Sequence, residues 1–249
     1  MPVFKTTITA DCRSGMRKGM ESWMKNCVDC IKAVTGLEIT FETVASLYGS
    51  TGFNVDITIK SSLAVRFGVM MSSVLNASNY LSGILCKNGF FPLNGYGNHF
   101  DCSAFYSSDL TVIYGDELLY VTVTLSDGEE KTLFFVNTQT EIATGEKYAG
   151  CMGLSVNKDG NAVFSGILRN EFSHDGVHVL IRKAETLNGR FLLDNLYTAG
   201  RSDNPLPEKK PFDVLFDDGT VKKAIVTGFN GISDTYGRTV CSGSFLCFI

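Results

Sequence analysis

Long apolar runs, blocks of positive charge and proline are what this chain has little of. No stretch reaches the about 18 to 20 consecutive apolar residues that cross a bilayer as a helix. The first residues show neither the charged start nor the apolar core and cleavage site of a secretion signal. Lys and Arg nowhere cluster, and the formal charge of −4 offers no general attraction to nucleic acid or to anionic membranes. These absences predict a soluble chain made in the cytosol, with neither nucleic acid nor membrane as a partner. Only five prolines occur, and the eight cysteines (12, 27, 30, 86, 102, 151, 241 and 247) are scattered over the whole length. That is not a stapled extracellular module, so the cysteines read as reduced, mainly buried thiols.

Catalytic text is missing as well. There is no Gly-x-Ser-x-Gly elbow and no Gly-Lys-Ser/Thr, and Gly145, Gly150 and Gly153 do not form a phosphate-cradling loop. Ser155 and the run Ser242-Gly243-Ser244 fall in expected strands. The acidic residues are spread over turns, and a carboxylate pair for glycoside cleavage forms in space, so sequence nominates none. The expectation is a non-enzyme without a cofactor.

What is present begins with one amphipathic helix, expected from Asp11 to Gly36. Met16, Met20, Trp23, Met24, Cys27, Cys30, Ile31 and Val34 recur at three- and four-residue spacing and form an apolar stripe, with the only Trp at its centre. Met16, Met20, Trp23, Cys27, Ile31 and Val34 are the predicted core contribution. Lys18, Glu21, Lys25, Asp29 and Lys32 make a solvated opposite face. Asp11 suits an N-cap and Gly36 a left-handed stop. Val3 to Thr9 and Leu37 to Thr43 alternate as strands on either side, which predicts a strand–helix–strand crossover covering one sheet.

Next comes a long alternation from Val55 to Val69, compatible with one extended strand or with two bent at Ser61-Ser62. Helical spacing of Val74, Leu75, Leu81, Ile84 and Leu85 predicts a second helix over Met71 to Lys87. Phe90 to Asp109 reads as a loop anchored by aromatics, and Phe90, Phe91, Tyr96, Phe100 and Tyr106 make it the candidate contact loop for a glycan or receptor.

The remainder is punctuated by Asp-Gly at 127–128, 159–160 and 218–219, each between alternating runs, which is the signature of tight hairpins. Val177 to Arg182, Arg190 to Leu196 and Arg238 to Ile249 supply further strands, and the Pro-containing stretch Thr198 to Pro211 reads as an excursion between strands. The fold class is therefore α+β with β predominating. Residues 1–110 form a helix-containing layer and residues 111–249 an antiparallel sandwich or barrel, as two regions or as one continuous domain.

Two constellations could hold metal. Cys27-Val28-Asp29-Cys30 has clip spacing, and Asn98-His99-Phe100-Asp101-Cys102 could add His99 and Cys102 to complete four zinc ligands. Cys27 and Cys30 belong to the apolar stripe, however, and lie late in the helix, where its dipole does not activate a thiol. Core filling is the preferred reading. His174 and His178 flank an Asp-Gly turn, lack a third ligand and read as turn residues. Gly15 and Gly19 have the spacing that allows close approach of another element or of a second subunit.

The layout of the last 60 or so residues, Phe191-Leu192-Leu193-Asp194-Asn195-Leu196-Tyr197, the Pro-containing excursion, the Phe212 to Thr227 hairpin, a Gly-rich turn and a final strand reaching Ile249, resembles the endings of small virion structural proteins of tailed bacteriophages. The resemblance is one of layout and carries no functional residue over. It implies a non-catalytic tail, baseplate or decoration subunit, located in the virion, that forms homo-oligomers and contacts other virion proteins. A receptor- or carbohydrate-binding module at a tail tip and a small cell-wall or polysaccharide hydrolase are the alternatives.

Overall fold

Alternation over the first residues yields strand β1 (Val3–Thr9), and the stripe yields helix α1 (Met16–Thr35). The computed structural model describes residues 2–9, 16–45, 51–58, 64–71, 78–86, 89–92, 99–101, 107–124, 128, 130–151, 154–157, 159, 162–164, 181–186, 189–199, 210–233 and 239–249. Trp23, Met24, Cys27, Val28 and Ile31 of α1 are buried, Cys30 and Val34 pack half-buried beside them, and Lys25, Asp29 and Lys32 face outward. Lys25 and Asp29 pair at 2.5 Å one turn apart, an exposed contact worth a few tenths of a kcal/mol. Gly36 ends the helix at φ +65°, its N–H bonding Lys32 O at 3.0 Å. The expected N-cap Asp11 and the side chains of Met16 and Met20 lie outside the described residues, as does Gly15, whereas Gly19 is buried.

Strand β2 (Glu38–Ala45) follows with Ile39 buried between exposed Glu38 and Thr40, the one-sided burial its alternation requires. Strand, helix and strand are thus all present, but the crossover is not. β1 pairs antiparallel with β8 (Ser107–Gly115) in one sheet, whereas β2 pairs antiparallel with β3 (Thr51–Thr58) in another. A nearby strand that can fold back antiparallel is the easier partner than a parallel strand beyond a helix. The helix packs against β1 and β8 of one sheet and β2 and β3 of the other, and so couples the two sheets.

The Val55 to Val69 alternation resolves into two strands, β3 and β4 (Ala64–Met71), paired from Gly52↔Met70 to Thr58↔Ala64. The expected second helix over Met71 to Lys87 is corrected: Met71 ends β4, and residues 78–86 are strand β5 (Ser78–Cys86), which pairs antiparallel with β4. A bulge explains the misreading. Gly68 faces Gly83 and Val69 faces Leu81, so Ser82 is extra. Leu81 and Ile84, three apart, therefore stand opposite Val69 and Phe67, two apart, and a strand with a bulge imitates helical spacing. Gly83 inside the segment also disfavours helix.

The expected aromatic loop is likewise corrected in part. Residues 89–92 form β6 (Gly89–Pro92), with Phe90 opposite Leu85 and Phe91 opposite Ile84, and β7 (His99–Asp101) places Phe100 opposite Asn79. β6 and β7 lie end to end along one edge of β5, completing a six-stranded sheet ordered β2-β3-β4-β5-β6. Tyr96, Cys102 and Tyr106 lie outside the described residues.

The larger sheet has twelve strands, with β9 (Leu118–Thr124), β10 (Glu130–Glu141), β11 (Lys147–Cys151), β12 (Leu154–Asn157), β13 (Ala162–Phe164), β14 (Ile181–Glu185), β15 (Phe191–Ala199), β16 (Phe212–Leu215), β17 (Val221–Ser233) and β18 (Thr239–Phe248) following β8 in the chain. The order is β1-β8-β9-β10-β15-β18-β17-β16, with β11, β12 and β13 branching from β10 and β14 from β15. The protein is α+β and β-predominant, and this antiparallel sheet curls into a half-barrel. β9 and the middle of β10 are buried on both faces, from Leu118 to Val123 and from Leu133 to Gln139, and their apolar residues share one core cluster with the stripe of α1. The Asp-Gly hairpins β9–β10 and β16–β17 are present, Gly128 and Gly219 taking φ +86° and +82° as tight turns demand. β12 and β13 pair around Asp159 as the third. Residues 200–209 of the expected excursion lie outside the described residues.

Candidate functional site

β10 changes character halfway along. After Leu133-Phe134-Phe135-Val136 come Asn137, Thr138, Gln139 and Glu141, all buried, so the end of the sheet has to satisfy polar groups internally. On the face holding the odd-numbered residues, Ser155 Oγ donates to Gln139 Oε1 at 2.5 Å, and Gln139 Nε2 donates to Asn137 Oδ1 at 3.3 Å. Gly150, opposite Asn137, leaves the room that these amides occupy. The hydroxyl of Ser155 is thereby committed to an amide.

Farther along this face, Glu141 receives Arg190 through Nε and Nη2, each at 2.7 Å, and the Thr144 hydroxyl at 2.7 Å. Glu146 receives the Tyr148 hydroxyl at 3.2 Å and Asn157 Nδ2 at 3.1 Å. The Tyr148 and Phe191 rings meet edge to face at 5.0 Å, with the Arg190 guanidinium 5.2 Å over Phe191. The hydrogen bonds from Thr144 and Arg190, with the Arg190 charge, hold the Glu141 carboxyl below its ordinary range against burial. Burial, then the Glu141 and Glu146 charges, push Tyr148 up. A general acid needs its carboxyl moved upward. Glu141 is moved the other way, and its geometry is that of a clamp joining the β10–β11 turn to the start of β15.

On the opposite face Asp194 accepts from Thr140 Oγ1 at 2.8 Å and Lys147 Nζ at 2.5 Å, with Lys183 Nζ at 3.9 Å. Burial pushes its carboxyl up, but the Lys147 and Thr140 hydrogen bonds and the Lys147 charge outweigh that and hold it below the usual carboxylate range. For both acids the folded pKa is depressed. Their stabilisation is complete above the unfolded-state pKa and is lost as pH falls through the lower, folded value. Unfolding midpoints measured from neutral pH into the acid range should therefore fall more steeply for the native chain than for Asp194→Asn. Parallel profiles would show that Asp194 contributes no such linkage.

Of the residues singled out from sequence, only some are among the described ones. Cys27 and Cys30 are free thiols, Cys27 pushed well up by burial and by its neighbour Cys30, and Cys30 pushed up by burial. His99 stands opposite Tyr80 in the six-stranded sheet, while Cys102, His174 and His178 lie outside the described residues. Among the described residues no three His, Cys, Asp or Glu side chains are grouped to hold a metal, and no helix is long and apolar enough to cross a membrane. The Glu141 and Asp194 clusters escaped sequence reading because their members lie about 50 positions apart. The available signal was the polar run 137–141 that continues a fully apolar strand.

The remaining candidate is a surface. In the β16–β17 hairpin the Asp217-Asp218-Gly219 turn is closed by Phe216 N–H to Thr220 O at 2.8 Å and by Thr220 N–H to the Asp218 carboxylate at 2.8 Å. Its outer face carries Leu215, 71% exposed, opposite Val221, 57% exposed, beside the Asp213–Lys223 pair at 3.0 Å. Its inner face carries Phe212 and Val214, half-buried with Tyr197 and Phe248 around Ala224, Val226 and Leu246. The Lys222 ammonium lies 5.4 Å over Phe216 and 5.9 Å over Phe248. The inner face packs into the fold, and the outer face, where an antiparallel hairpin ordinarily carries polar residues, leaves the apolar pair Leu215 and Val221 in water beside one ion pair. No family model, curated protein or solved structure matches the chain.

Proposed function

We propose that the chain is a non-catalytic structural subunit of a bacteriophage virion, of the tail or baseplate, that works by assembling with further copies of itself and with other virion proteins. The layout of residues 191–249 supports the virion context. The assembly part is carried by the β16–β17 hairpin, which stands at the terminal position of the large sheet and holds the apolar pair Leu215 and Val221 in water. Side chains such as Leu215 and Val221 left in water forgo about 1.5 to 3 kcal/mol each that burial against a partner returns. The expected result is a light-scattering mass that is a multiple of 27.2 kDa, with closed rings in negative stain. A strict monomer at high concentration would overturn the reading. Tail or portal genes flanking the coding sequence are the expected context.

A further inference from the structure

We propose that β16 pairs antiparallel with the β16 of a second copy, about a two-fold axis passing beside Val214. The proposal rests on the assembly reading above and specifies one of its contacts. β16 ends the large sheet, and among the described residues no strand lies along its other side. Phe216 N–H points to Thr220 of the adjoining strand, and backbone direction alternates along a strand, so the N–H and C=O of Val214 and Phe212 also point to β17. Those of Asp213 and Leu215 point to the open edge. An unpaired pair of donors and acceptors beside exposed apolar side chains is a template for another strand.

A two-fold pairing must bring outward-pointing residues opposite one another, which leaves three registers near the middle of the strand. Centring on Asp213 sets it against the partner's Asp213, and centring on Leu215 sets Asp213 against the partner's Asp217; both oppose like charges. Centring on Val214 sets Asp213 against the partner's Leu215 and Phe212 against the partner's Phe216. No like charges meet, the aromatic residues continue across the inner face, and the exposed Leu215 gains cover from the partner strand on the outer one. Val214 then lies opposite itself at a non-hydrogen-bonded position, where Cα atoms approach to about 4.5 Å, within the range a disulfide spans.

The test is a single cysteine. Val214→Cys, oxidised mildly, should run as a covalent dimer on a non-reducing gel. Leu215→Cys, whose partner copy is two ladder positions away, should remain at the level of the parent chain with its own thiols. Leu215→Pro removes an edge N–H that no described residue accepts, and should at least halve the light-scattering mass with an unchanged far-ultraviolet spectrum. If the native chain is oligomeric but Val214→Cys fails to link, or Leu215→Pro keeps the full mass, this pairing is wrong and the assembly reading stands. If the native chain is monomeric throughout, both fall.

Discussion

Trp23→Ala is expected to lower the stability of the fold by about 3 to 5 kcal/mol, the range for truncating a large buried aromatic. The side chain is 1% exposed at the centre of α1, and its Nε1–H donates to Ser108 Oγ at 2.9 Å inside the core. Truncation would open a cavity where the helix bridges the two sheets and would also remove the indole donor from the buried Ser108 hydroxyl, which adds to the loss. The loss should weaken both attachments of the helix, since it packs against β1 and β8 of one sheet and β2 and β3 of the other. Denaturant unfolding followed by circular dichroism measures it, because the variant has no tryptophan to report by fluorescence. An unchanged midpoint would mean that the stripe of α1 does not hold the sheets together.

Gly150→Ala is the second large effect, and nothing in a sequence pattern announces it. A Cβ at position 150 would lie 1.9 Å from Gln139 Nε2 and 2.7 Å from Asn137 Oδ1. Gln139 cannot simply swing away, because its Oε1 accepts from the buried Ser155 hydroxyl and its amide nitrogen donates to Asn137. Overpacking costs about 1 to 3 kcal/mol, and leaving buried amide groups without partners costs a similar amount, so a loss of about 3 kcal/mol is expected. Gln139→Ala made in the Gly150→Ala background should cost less than Gln139→Ala in the native chain, since the clash is relieved in the double variant. Equal costs in both backgrounds would show that the two side chains do not compete for the same space.

The acidic clusters and the hairpin edge place different demands on the same sheet. Glu141 and Asp194 fasten the end of β10 to its neighbours, and the same sheet carries β16–β17 at the far end of its strand order. Cross-links of this kind would keep the entropy cost of the proposed β16 pairing small.

Sequence by itself determined the elements whose periodicity is local. The stripe of α1, its stop at Gly36, the strands on either side and the Asp-Gly hairpins all follow from side-chain spacing and from turns that need positive φ, interactions that reach only a few residues along the chain. Tertiary structure alone decided which strands became neighbours. It put β1 and β2 in different sheets, turned the spacing of Leu81 and Ile84 into a bulged strand, and gathered Glu141 with Arg190 and Asp194 with Lys147. These outcomes depend on long-range pairing, where an extra residue in one strand or a polar group buried by a distant one shifts the balance, and no local period records that competition.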